Sequence, residues 1–413
     1  MSEKVKPNLR WAWIGALGVF VLAGSTGALY RFGMLMGLPF GLVFTNVRHA
    51  HSHLMYFGWV TPALMAFIAT RLPDVLGWPL KRSFNRVILV TFIFALIAYV
   101  PFLLYGYGIA EIAGRPIPPG VIGASLNILA WYAYVWIYSV NTRGASRNRA
   151  LRFWDWALLF QLLASLGAWG RGVLVALKVT DPFVTTAMVD LFLDLFSDGW
   201  FVLALLGLAF AAYPAADSTT ARRAQWLIII GMPVTFLLGV SVDLVPTPLR
   251  LIGGAGGILV ALGLLLTIAA LWRAVGGGWR IALAFLAIKA FAELGLSVPP
   301  LAAWGEAAGL RILYLHTLLL GFVSLGLLAA ARDAWGQVAV RGRAWMTVSV
   351  LVLIATLVPL TNLMPREWGG RWALEIAAIA ALLPPLAAVL IMWQAGHFRD
   401  DVLGESPTSE YAT

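Results

Sequence analysis

Cysteine is absent from this chain and charge is scarce: only 12% of its 413 residues are Asp, Glu, Lys or Arg. The first absence excludes disulfides and thiolate metal sites, so any metal must be held by nitrogen or oxygen ligands. The second excludes an ordinary soluble domain, which carries about twice that share of charge. Histidine is rare as well, with five in all, and three of them fall within "NVRHAHSHLMYFGW", residues 46–59.

What is abundant is apolar: 61% of the residues are hydrophobic. Runs of about 20 apolar residues are the length that crosses a bilayer as a helix. Twelve can be marked, near 10–30, 49–71, 86–106, 119–140, 152–178, 186–213, 223–243, 247–273, 279–297, 310–332, 343–363 and 371–395. The expected fold is all-α: a polytopic integral membrane protein whose residues 1–396 form one bundle of 12 transmembrane helices, with 397–413 as a short disordered cytoplasmic tail. The first run reads as a retained signal anchor. No internal repeat stands out, which disfavours a transporter built from paired halves.

Basic residues orient the chain. With the N-terminus inside, cytoplasmic segments hold 19 Lys/Arg and the opposite loops 8, while Arg171 and Lys289 fall inside spans. The positive-inside rule then places both termini in the cytoplasm, in the inner (cytoplasmic) membrane of the cell. The net charge of +10 is therefore explained by topology. It calls for no nucleic-acid partner, and the expected surroundings are the lipid bilayer.

On that topology the intramembrane polar groups gather in the outer half. Span two brings His49, His51 and His53, and span ten His316. Span six contributes Asp190, Asp194 and Asp198, and span nine Lys289 and Glu293. Such groups are expensive in hydrocarbon unless paired, hydrated or bound to something. The three aspartates recur every four residues and predict one carboxylate stripe, and Lys289 and Glu293 predict a pair within their helix. At about 100° per residue His49 and His53 share a face and His51 points away from them. Neutral imidazole is a common ligand of iron, copper and zinc, and His316 lies at a depth to oppose the span-two histidines.

"HSHLMYFGW" and "YLHTLLLGF" resemble the second- and tenth-span motifs of the haem-copper oxidase superfamily, whose catalytic subunit has twelve spans with both ends inside, and of its shorter NnrS-like relatives. The resemblance implies a b-type haem with His51 and His316 as axial ligands, Met55 and Phe57 following His51. Tyr314 stands where the family has the ligand of a second, high-spin haem. The family's copper histidines, on spans six and seven, have no counterpart. The resemblance therefore implies electron transfer or the handling or sensing of NO or O2, with a quinol or soluble electron carrier as redox partner, and no copper-coupled oxygen reduction. A second metal site from His49, His53, Asp194 and Asp198 is the further expectation.

Two other functional classes use the same residues. Non-haem iron, copper or zinc on His49, His53, His316 and Asp194 would make a membrane oxidase or hydroxylase. Arg171, Lys289, Glu293 and the aspartates lining a path would make a transporter.

Overall fold

A computed structural model describes residues 9–404. Apart from one small hairpin it is helical. In chain order the helices are α1 (Arg10–Met36), α2 (Phe44–Leu76), α3 (Asn85–Tyr105), α4 (Pro119–Thr142), α5 (Arg149–Ala176), α6 (Pro182–Ala212), α7 (Thr219–Gly231), α8 (Thr247–Trp272), α9 (Gly277–Leu296), α10 (Pro299–Ala307), α11 (Arg311–Trp335), α12 (Gln337–Leu360) and α13 (Arg371–Ala395). The hairpin, β1 (Ala110–Ile112) and β2 (Arg115–Ile117), lies between α3 and α4.

Among the described residues ten of these helices are long and apolar enough to cross a membrane, and eleven if α9 and α10, bent by 112° at Ser297–Val298, count as one span. Expected span 223–243 takes a different form. α7 ends at Gly231, ahead of Pro233, and continues as a 3-10 helix over Met232–Leu238. Proline has no N–H to offer and its ring crowds the preceding turn, so the α-helix does not run on. The chain is a multi-pass, all-helical membrane protein. The last helix is described through Gly404, and the rest of the expected tail, 405–413, lies outside the described residues, as does the start of the basic N-terminal segment.

The sides of the helices sort by what they touch. On α3, Ile88, Thr91, Phe92, Ala95, Ala98 and Phe102 are buried, whereas Leu89, Ile93, Leu96, Ile97, Val100 and Leu104 are exposed. An exposed face made wholly of aliphatic side chains is stable against lipid and unstable against water.

At the centre stand α2, α6 and α11, whose second halves, Thr61–Leu76, Leu203–Ala212 and Leu325–Trp335, pack on one another. Each is interrupted by a π-helical segment: Leu54–Val60, Leu195–Val202 and Thr317–Ser324. Long π segments are rare and are found mostly at functional sites. Each contains a glycine followed by an aromatic residue, Gly58-Trp59, Gly199-Trp200 and Gly321-Phe322. Each glycine lies against a neighbouring helix: a Cβ would come within 3.0 Å of Val19 of α1, Phe160 of α5 and Phe285 of α9 respectively.

The polar groups of these segments interlock. Trp59 Nε1 donates to Ser324 Oγ at 3.2 Å and Trp200 Nε1 to Thr61 Oγ1 at 3.4 Å. Both hydroxyls sit three residues after their glycine and donate in turn to carbonyls five residues back, Thr61 to Tyr56 and Ser324 to Leu319, each at 2.8 Å. Those donations help satisfy carbonyls that the π turn displaces from the regular ladder. On the third side the equivalent pair is Phe322 and Val202, both apolar. The same local pattern thus recurs in the three central helices. Its signature is one glycine, one aromatic residue and one small side chain, too sparse to stand out in so apolar a chain.

Candidate functional site

The π segments divide each central helix, and the side chains singled out from sequence lie at or before that division, toward one end of the bundle. His51 is on the α-helical first part of α2 and faces α1. Its Nδ1 is 2.7 Å from the Ala23 carbonyl oxygen, and one turn on, Gly27 makes room for the ring, since a Cβ there would lie 2.8 Å from Cε1. His316 ends the α-helical part of α11 with Nδ1 2.8 Å from the Ile312 carbonyl oxygen. A carbonyl only accepts, so both Nδ1 atoms carry the proton and both Nε2 atoms keep a free lone pair. This backbone-held tautomer is the arrangement that orients metal-ligating histidines.

The two imidazoles are within electrostatic reach of each other, and Arg31 of α1 is within reach of both. Arg31 makes no hydrogen bond or ion pair with the described residues. Both residues are half-buried.

His49 and His53 belong to a different environment, as the helical period requires. His53 Nε2 is 2.6 Å from Tyr107 Oη, and its ring stacks on Phe102 with centroids 3.8 Å apart. His49 meets the Tyr107 ring edge-on at 4.8 Å. Tyr107 lies just beyond α3, and desolvation pushes its phenol up to about 12. It therefore stays protonated and donates to His53.

The aspartates are separated by their partners. Asp190 pairs with Arg311 at 2.8 Å, Asp194 accepts from Thr235 Oγ1 at 2.5 Å, and Asp198 is 3.1 Å from Lys289 Nζ. Lys289 also bonds Glu293, as the spacing predicts, and Lys289, Asp198 and Glu293 are all buried. Among the described residues no three His, Asp or Glu side chains are grouped to hold a metal ion. The expected second site from His49, His53, Asp194 and Asp198 is thus not assembled among the described residues, nor is the non-haem set of His49, His53, His316 and Asp194. The histidines of the first set are turned toward Phe102 and Tyr107, and its carboxylates toward α7 and α9.

Of the remaining expected residues, Met55 packs against the main core, Tyr314 lies within electrostatic reach of Lys289 and Glu293, and Arg171 is exposed on α5. Gly27, Arg31, Tyr107, Thr235 and Arg311 were missed. Arg31 was passed over as a residue just outside the first run, and the other four have no local signal.

Fold and site together define a multi-pass helical membrane protein in which His51 and His316 lie within electrostatic reach of each other and of Arg31. Compared with known proteins, the chain matches no family model and no curated protein.

Proposed function

We propose that this chain is a haem-binding redox protein of the cytoplasmic membrane, a twelve-span bundle of haem-copper-oxidase type with both termini in the cytoplasm. α7 with its 3-10 extension is the short span, and the bent pair of α9 and α10 is another. The observation that carries the reading is the pair His51 and His316. They stand on two of the three central helices, each with Nδ1 tied to a backbone carbonyl and Nε2 free, each half-buried.

These residues fit a b-type haem. His51 and His316 would hold its iron, Gly27 lets the His51 ring lie close to α1, and Arg31 supplies a cation for a propionate. Bound there, the haem supplies a reversible one-electron carrier, and bis-histidine ligation leaves the iron without an open position. With such a haem the chain would pass electrons, or sense or handle NO or O2. No histidine lies on α6 or α7, so copper-coupled oxygen reduction is not part of the proposal. Electrons enter from a quinol or a soluble carrier.

The test is an optical and pyridine haemochrome spectrum, with iron quantification, of protein purified after haem-sufficient expression. A Soret band lost in both His51→Ala and His316→Ala is expected. A colourless wild-type protein, or one with iron and no porphyrin, overturns the reading.

A further inference from the structure

Beyond the histidine pair, the bundle buries a second set of ionisable groups that haem binding leaves unused. Lys289 of α9 bridges Asp198 of α6, at 3.1 Å, and Glu293 of its own helix. The three side chains are between 1% and 7% exposed. Asp194, one turn from Asp198 toward the histidine end, is in electrostatic reach of Asp198, Lys289 and Glu293, and its hydrogen-bond partner is the neutral Thr235. The other titratable groups facing the set are Tyr314 of α11 and Tyr56 of α2, the latter bonded to Ser197 at 2.8 Å.

The charges do not balance. Three carboxyls share one ammonium, so full ionisation leaves two uncompensated negative charges in a low-dielectric interior, where burying even one is strongly unfavourable. Asp198 Oδ1 is buried with no hydrogen-bond partner. That oxygen is the vacant position of the cluster, and the charge deficit says which sign of ligand it takes. Because no three acidic or histidine side chains are grouped as a metal site among the described residues, the small cation that fits is the proton.

We propose that Asp198, Glu293 and Lys289, with Asp194, form a buried proton-binding site that exchanges with the aqueous phase at the histidine end. Asp190 is the next step along α6. It is 3% exposed, its Oδ2 has no partner, and its Oδ1 is held by Arg311, whose side chain is 59% exposed. The proton exchanges with water at the Arg311 end of α6, where Asp190 lies one turn from Asp194. No electron or other co-reactant is needed.

Infrared spectroscopy of the purified protein in lipid nanodiscs tests this without any reference to haem. The wild type should show a protonated-carboxyl carbonyl band near neutral pH that shifts in D2O and is lost as pH rises. Lys289→Met should enlarge it by about one carboxyl, since one compensating charge is gone. Asp198→Asn should shrink it, and Asp190→Asn should slow its exchange. Glu111→Gln, on the exposed hairpin, should leave it unchanged. The proposal is overturned if the wild type has no such band, if Lys289→Met in a folded protein leaves it unaltered, or if sodium at constant pH abolishes it, which assigns the site to a metal cation. Should Lys289→Met not fold, the wild-type band and its pH and D2O dependence decide alone.

Discussion

α2 and α11 on the one hand and α6 on the other share a construction and differ in what they carry. All three pass through a π segment at a glycine that presses on a neighbouring helix, and all three pack together beyond it. Five residues before that glycine stand His53, Asp194 and His316. Of these only His316 keeps a free, oriented imidazole nitrogen. His53 is occupied by Tyr107 and Phe102, whereas His51, two residues earlier, faces α1 and is the imidazole proposed to act with His316. On α6 the same region carries carboxylates instead, paired with cations from α9 and α11. The comparison teaches that the shared backbone device positions a polar residue, while the neighbouring helix decides its chemistry.

Swapping the roles of the two α2 imidazoles breaks the comparison most severely. His51→Ala and His316→Ala should each remove bound haem completely, while His53→Ala keeps it, as read from the Soret absorbance per protein. Loss of haem in His53→Ala with retention in His51→Ala would transfer the site to the position equivalent to His316. On α6, Lys289→Met leaves buried carboxylates without their cation and should cost about 3–5 kcal/mol. Thermal unfolding in detergent measures this, and Lys289→Met with Asp198→Asn should recover part of it. The glycines come next. Gly58→Leu, Gly199→Leu or Gly321→Leu forces a side chain into an occupied helix contact, for roughly 1–3 kcal/mol each. Equal losses at all three positions would support equivalence of the three segments, and tolerance at one would break it. Smallest is the hydrogen-bonded ring of the core. Trp200→Phe should lose about 1 kcal/mol. Phe322→Trp with Val202→Thr, which supplies the missing third bond, should gain no more than that.

Much of the site was legible from residue type and spacing. His51 separates from His49 and His53 by helical period, and Lys289 pairs with Glu293 at one turn, because both depend only on backbone geometry within a helix. The carboxylate stripe failed as a single unit because a π segment begins directly after Asp194 and the three side chains meet three different neighbours. The expected metal cluster failed for a related reason: equal depth along two spans says nothing about which way each helix is rotated.

Composition and hydropathy by themselves determined that this is a multi-pass helical membrane protein, because the cost of burying charge in lipid acts on every residue regardless of its partners. They also singled out the rare imidazoles and carboxyls, since such groups persist in an apolar run only where something compensates them. Only the tertiary structure decided what compensates them. The Ala23 carbonyl and the space at Gly27 orient His51, Asp198 reaches across to Lys289, Arg31 lies beside both histidines, and three glycines close the core against α1, α5 and α9. Each is a contact between segments far apart in the chain, set by how helices rotate and press on one another, and no periodicity within a single helix encodes that.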